Sequence, residues 1–175
     1  LSIINISVNP LVLYPIIIGA SGLIASIIGA MTITSRKIDD PMKPLDIAFI
    51  ISAVIAIALN FFMTTMFFGN TVLAYALFGT TVVGVILVPI IQRITDYFTN
   101  YKYKPVKEIA DSTKWGYASN VLTGIIMGMR STGPFMVAIV VVLGISYGII
   151  FGITQDPLMG IYGTAMAAMA MLSLA

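Results

Sequence analysis

Acidic residues near the start of the sequence are the first feature that could do chemistry. Asp39 and Asp40 are adjacent, and Asp46 follows shortly after them. Paired carboxylates can hold Mg²⁺ or share a proton. The same stretch contains three cations that can balance these charges: Arg36, Lys37 and Lys43. We therefore favour solvated ion pairs over a metal site at this position.

The other charges that could be functional are isolated along the chain. Asp96 lies three residues after Arg93, which favours a local ion pair. Asp156 directly precedes Pro157, a pattern typical of a helix N-cap. Arg130 is a single charge in a long, weakly polar stretch. A charge within a membrane is a functional hypothesis by default, but we favour an interfacial anchor or an interhelical contact.

The composition excludes several kinds of catalytic site. The chain has no Cys and no His, so disulfides, thiolate chemistry, typical zinc sites and imidazole bases are excluded. No Walker A motif, metal-ligand cluster or nucleophile–base pair is visible in the sequence. The net charge is only +2 and no extended basic face is present, so we expect no nucleic-acid partner.

The elements that position these residues are predicted to be membrane helices. Hydrophobic residues make up 59% of the chain and charged residues 9%, whereas soluble domains are about 25% charged. A spanning helix needs roughly 20 apolar residues, and no segment shows the alternation of a β-barrel strand. We expect an all-α, polytopic transmembrane helix bundle, with residues 1–175 forming a partial transmembrane domain. The predicted spans are about 11–35, 45–68, 72–92, 118–153 and a truncated 158–175.

Basic residues in the links predict the orientation of the helices. The four successive links contain three, no, five and no Lys or Arg residues. Because these residues accumulate on the cytoplasmic side, the links at 36–44 and 93–117 are predicted to be cytoplasmic. Six aromatic residues in the larger link are typical of a membrane interface: Tyr97, Phe98, Tyr101, Tyr103, Trp115 and Tyr117. From Pro105 the pattern predicts a helix with a Lys107–Asp111 pair. This helix extends the fourth span into the cytoplasm from about residue 106.

Small residues recur at intervals of four, which indicates close helix packing in lipid. On the predicted fourth helix they are Gly116, Asn120, Gly124, Gly128 and Thr132. Shorter lines are Gly22, Ser26 and Ala30 on the first helix, and Gly160, Thr164 and Ala168 on the last. Asn60 lies in the middle of the second span, where we expect a hydrogen bond to a neighbouring helix.

Five motifs together resemble the membrane-bound, ion-translocating inorganic pyrophosphatases: ITDYFT, KPVKEIADST, GYASN, GIIMGMRST and IYGTAMAAMAMLS. Their order and spacing match that family over residues 94–173, while 11–92 matches in hydropathy and helix count. This chain departs from the common family pattern at Asp96, Phe98, Ala170 and Leu174.

The resemblance implies a homodimeric pump of about sixteen helices per subunit. Such pumps hydrolyse Mg-pyrophosphate in the cytoplasm and move H⁺ or Na⁺ outward, with Mg²⁺ as a cofactor and K⁺ as a possible one. This piece would be helices seven to ten, in the outer ring, and the start of helix eleven. No catalytic, cofactor-binding or metal-binding residue is then expected in it. Residues that could support the site from a distance, or pack helices, are Asp96, Lys104, Asn120, Gly124, Gly128 and Arg130.

Two alternatives remain open on the sequence. One is a fragment or subunit of a secondary transporter, with helix interruptions at Pro89 and Gly133–Pro134 marking a substrate site. The other is a small non-enzymatic membrane assembly factor. In each case the lack of an initial Met and the apolar end, MLSLA, favour an internal piece of a longer polypeptide.

Overall fold

A computed structural model describes residues 10–34, 42–69 and 71–174. The helices are α1 (Pro10–Thr34), α2 (Met42–Phe68), α3 (Val72–Thr99), α4 (Lys104–Ser112), α5 (Tyr117–Thr154) and α6 (Pro157–Leu174), with a 3₁₀ turn at Thr113–Trp115. These residues contain no β-strand, so the all-α prediction is confirmed. The predicted acidic pair Asp39–Asp40 and its neighbours Arg36 and Lys37 lie outside the described residues.

Five of the helical segments are long and apolar enough to cross a membrane. At 1.5 Å per residue, even the 18-residue α6 approaches the ~30 Å hydrocarbon core, and the 38-residue α5 is much longer than the core. Large apolar side chains cover much of the helix surface, as expected where lipid or further helices replace water. The chain is therefore an integral, multi-pass membrane protein.

The link between α3 and α5 corrects one expectation from the sequence. The fourth span was expected to continue as a helix back to about residue 106. Instead, α4 ends at Ser112, and Gly116 has a φ angle of 107°. L-amino-acid side chains rarely tolerate that backbone conformation, and a right-handed helix cannot pass through it. Gly116 therefore separates α4 from α5, which begins at Tyr117.

The ion pair predicted on α4 also differs in the structure. Asp111 Oδ1 lies 2.9 Å from Lys114 Nζ, rather than pairing with Lys107 one turn earlier. The chain leaves α4 at Ser112 and enters the 3₁₀ turn, which brings Lys114 close to Asp111. Both side chains are mostly exposed, so this pair orders the turn only weakly.

The chain divides into two compact units, the first formed by residues up to 88 and from 142, the second by 89–141. The first unit contains α1, α2, α6, the beginning of α3 and the end of α5. Its core includes several fully buried side chains: Tyr14, Ile18, Leu77, Ile150 and Met166. The Tyr162 hydroxyl donates a 2.6 Å hydrogen bond to the carbonyl oxygen of Leu11, which joins α6 to α1.

Small residues do pack the helices of the first unit, but the packed lines differ from the predicted ones. On α1 the buried members are Gly22, Ala25 and Gly29, whereas Ala30 is exposed. On α6 they are Gly160, Gly163, Ala167 and Ala170, whereas Ala168 is exposed. A helix has 3.6 residues per turn, so a face in continuous contact alternates steps of three and four. Residues spaced strictly four apart therefore move progressively around the helix and off the contact face.

Two interhelical hydrogen bonds connect α1 and α2 inside the core. The hydroxyls of Tyr14 and Thr64 are 2.7 Å apart, and the Ser21 hydroxyl donates to Asn60 Oδ1 at 2.6 Å. Asn60 is only 1% exposed. The predicted hydrogen bond from Asn60 to a neighbouring helix is therefore confirmed.

Removing the Ser21 hydroxyl should measurably weaken α1–α2 packing. We expect Ser21→Ala to lower the free energy of unfolding of the full-length protein by about 0.6 kcal/mol, and by no more than about 1.7 kcal/mol. Ser26→Ala is the matched control, because the Ser26 hydroxyl bonds only to the Leu23 carbonyl of its own helix. The measurement is reversible unfolding in detergent. Equal destabilisation by the two variants would contradict the interhelical role of Ser21.

Candidate functional site

The second unit contains the chain's candidate functional site, a pocket of about 290 Å³. It brings together two of the six residues singled out from the sequence, Lys104 and Arg130. The end of α3, the beginning of α4 and the middle of α5 form its walls. The lining residues are Tyr97, Phe98, Lys104, Pro105, Glu108, Met127 and Arg130.

Ring packing and a buried proline shape this pocket. The ring of Tyr97 meets that of Phe98 at a centroid distance of 5.2 Å and that of Tyr103 at 5.4 Å. Pro105 is the buried residue of α4 and fixes the first turn of that helix. Met127 and Arg130 are three residues apart on α5 and so share one helix face.

Asp96 has a structural role just outside the pocket. Its Oδ1 accepts a hydrogen bond of 2.9 Å from Asn100 Nδ2, and Asn100 Oδ1 accepts one of 3.1 Å from the Lys102 amide. Asn100 is 4% exposed. Asp96 and Asn100 together therefore fix the turn from α3 into α4. Asn100 was not among the residues singled out from the sequence, although an Asn one turn after an acid at a helix end is a recognisable signal.

Asn120, Gly124 and Gly128 lie on α5 outside the pocket. Asn120 Oδ1 accepts a 3.3 Å hydrogen bond from the Ser112 hydroxyl, which connects the start of α5 to the end of α4. A Cβ atom added at Gly124 or Gly128 would have no neighbour within 4 Å in the part of the chain that the structure describes. That these two glycines pack against another helix stays a prediction.

The described acids do not converge on a metal-binding site. Among the residues that the structure describes, no three Asp, Glu, His or Cys side chains are placed to hold one ion. Asp156 Oδ1 accepts a 3.0 Å hydrogen bond from the Leu158 amide, so it is the predicted N-cap of α6. Lys104 and Arg130 place two positive charges in the pocket lining, which is the chemistry that favours an anion.

Comparison with known proteins identifies relatives along the whole chain. The family model for inorganic H⁺ pyrophosphatase matches residues 1–175. The chain is 35% identical over 167 residues to a K⁺-insensitive pyrophosphate-energized proton pump 2 of Moorella thermoacetica, covering 94% of this chain and 24% of that protein. It is 34% identical over 169 residues to a K⁺-insensitive pyrophosphate-energized proton pump of Pyrobaculum aerophilum, covering 91% and 23%.

A sodium pump is also among the relatives. The chain is 32% identical over 162 residues to a putative K⁺-stimulated pyrophosphate-energized sodium pump of Clostridium tetani, covering 93% of this chain and 23% of that protein. The chain thus spans about a quarter of the length of the curated relatives it matches. With the family model matched from residue 1 to residue 175 and five apolar helices in the structure, this chain belongs to the inorganic H⁺ pyrophosphatase family.

Proposed function

We propose that the protein containing this chain is a pyrophosphate-energised ion pump. It couples hydrolysis of Mg-pyrophosphate on the cytoplasmic side to outward transport of H⁺ or Na⁺. The observation that carries this proposal is the family match over the full 175 residues. The relatives named above, which are proton and sodium pumps, support the same activity.

Within that pump, this chain serves mainly as a membrane scaffold. Mg²⁺ requires converging oxygen ligands, and a polyphosphate requires fixed cations around its oxygens. The described acids do not fit a Mg²⁺ site, because no three of them come together. Binding of Mg²⁺, of pyrophosphate and of any K⁺ is therefore assigned to the remainder of the protein.

Ion uptake by liposomes tests the pump assignment. The full-length protein is reconstituted and supplied with Mg-pyrophosphate on its cytoplasmic face. H⁺ uptake is followed with a pH-sensitive dye and Na⁺ uptake with radioactive sodium. We expect one of these ions to accumulate only while pyrophosphate is consumed, and an ionophore to abolish the gradient. Solute uptake without pyrophosphate would contradict the pump and support a secondary transporter.

The charge pattern of the links supports an orientation in which 36–44 and 93–117 lie on the cytoplasmic side of the membrane. A single Cys introduced at Lys107 should react with an impermeant thiol reagent from the cytoplasmic side. A single Cys at Asn70 should react from the opposite side. The chain has no native Cys, so within it only the introduced Cys can react with the reagent. Labelling of the Asn70 variant from the cytoplasmic side only would contradict this orientation.

The open face of α5 at Gly124 and Gly128 is proposed to contact a helix outside this chain, within one subunit or across a homodimer. Gly128→Leu should then push two backbones apart and lower the stability of the folded protein by about 1–3 kcal/mol. Met129→Leu conserves volume at the adjacent position and is the control. The readouts are the Tm and the oligomeric state in mild detergent. An unchanged Tm and an unchanged oligomer for Gly128→Leu would show that this face packs against no other helix.

A further inference from the structure

The pocket of the second unit lies at the boundary of the membrane. Arg130, on its α5 wall, immediately precedes the apolar stretch 131–153. Tyr97 and Phe98, on its α3 wall, follow within six residues of Gln92, where the third apolar stretch ends. Because 131–153 alone supplies the roughly 20 residues that a span needs, the part of α5 before Arg130 extends beyond the hydrocarbon core. Both walls then lie at headgroup depth, on the side that the basic links assign to the cytoplasm.

The charge in this pocket favours an anion. Lys104 and Arg130 contribute two positive charges and Glu108 one negative charge. Within the described ranges 10–34, 42–69 and 71–174, neither cation forms an ion pair or a side-chain hydrogen bond, with Glu108 or with any other residue. The donors of both cations therefore remain available to a bound group.

The first turn of α4 adds to the positive field of the pocket. Tyr103 precedes the helix with extended backbone angles, and its side chain makes no capping hydrogen bond. Pro105 has no N–H, and the first helical bond in this turn runs from the Lys107 amide to the Tyr103 carbonyl. The positive end of this helix thus lies beside Lys104, with no side chain to neutralise it.

The size and the apolar lining of the pocket favour an amphiphilic anion over a small soluble anion such as phosphate. A volume of about 290 Å³ approaches the lower end of small-molecule sites, about 300–1,000 Å³, which is larger than a lone phosphate needs. The rings of Tyr97 and Phe98 and the side chain of Met127 offer apolar contact beside the cations. Basic pockets between helices on the cytoplasmic side are typical binding places for anionic lipid headgroups.

We propose that this pocket binds the phosphate headgroup of an anionic phospholipid from the cytoplasmic leaflet. Lys104 and Arg130 hold the phosphate oxygens by charge-assisted hydrogen bonds. Tyr97, Phe98 and Met127 contact the glycerol and the first carbons of the acyl chains. This binding is separate from pyrophosphate hydrolysis and does not depend on which ion the protein moves.

Lipid titration of the full-length protein in a neutral detergent tests this proposal. Phosphatidylglycerol is added and bound lipid is counted by native mass spectrometry, with phosphatidylcholine as the neutral comparison. We expect Lys104→Gln and Arg130→Gln each to weaken phosphatidylglycerol binding about tenfold, as loss of one charged hydrogen bond predicts. Glu108→Gln should tighten binding severalfold, because it removes the only acid among the described residues that line the pocket. Arg130→Lys keeps the charge and should retain most of the affinity.

Lys107→Gln is the matched control, since it removes the same charge from the same helix outside the pocket lining. It should leave phosphatidylglycerol affinity within about twofold of the original value. Equal losses for Lys107→Gln and Lys104→Gln would overturn the proposal in favour of diffuse surface attraction. Displacement of the lipid by inorganic phosphate at matched ionic strength would also overturn it and assign the pocket to a soluble anion. Glu108→Gln and Lys104→Gln change exposed side chains, so the test holds even if Arg130→Gln fails to fold.

Discussion

Gly84→Ala should strongly destabilise the full-length protein, although it adds a single methyl group. Gly84 lies on α3, where a Cβ would lie 2.9 Å from both the carbonyl carbon and the Cα of Ala167 on α6, and closer still to the Ala167 carbonyl oxygen. Carbon atoms in contact prefer separations of about 3.5–4.0 Å. The obstacle is backbone and cannot rotate away, so α3 and α6 must separate. We expect a loss of about 1–3 kcal/mol or more in the free energy of unfolding.

Gly79→Ala is the matched control for this prediction. Gly79 is on the same helix, and its added Cβ would meet only the Ile149 side chain, at 3.9 Å. There the substitution should be neutral or stabilising by up to about 1 kcal/mol, because Ala favours helix over Gly. Thermal unfolding of the two variants in one detergent compares them directly. If both variants have the same Tm, then α3 and α6 do not approach as closely as the structure shows.

The helices and the family could both be predicted from the sequence. The helices depend on local runs of apolar residues, and the family depends on motifs that occur in a fixed order and spacing. An apolar run long enough to span a bilayer can form few structures other than a helix. The motifs from ITDYFT to IYGTAMAAMAMLS retain their order and spacing, which the match over 1–175 supports independently. The N-cap at Asp156 and the hydrogen bond of Asn60 were likewise predicted from the residue type and its position.

Features that depend on backbone conformation or on helix rotation could not be predicted. The break before α5 results from the positive φ of Gly116. The residue type alone does not predict this break, because Gly also occurs in the interior of α5. Small residues occupy several faces of α1 and α6, so spacing alone did not distinguish Ala25 from Ala30 or Ala167 from Ala168. The pocket between α3, α4 and α5 requires residues distant in sequence, such as Lys104 and Arg130, and no local pattern brings them together.

Residues 1–175 alone should release no phosphate from pyrophosphate, whereas the full-length protein should do so. Several acids are already engaged in local structure. Asp96 binds Asn100, Asp111 pairs with Lys114, and Asp156 caps α6. Glu108 lies in a pocket where the other charged residues of the described lining, Lys104 and Arg130, are both positive. A Mg-pyrophosphate site needs several carboxylates within reach of one another, and the described residues do not supply such a group.

Phosphate release is therefore the most direct measurement for the scaffold role of this chain. The purified chain and the full-length protein are reconstituted separately in liposomes of the same composition and assayed with Mg²⁺ and pyrophosphate, with ion uptake recorded in parallel. The predicted result is Mg²⁺-dependent phosphate release with ion uptake by the full-length protein, and release at the buffer rate by residues 1–175. Mg²⁺-dependent release by residues 1–175 would contradict the scaffold role. A full-length protein that neither hydrolyses pyrophosphate nor moves an ion would contradict the pump.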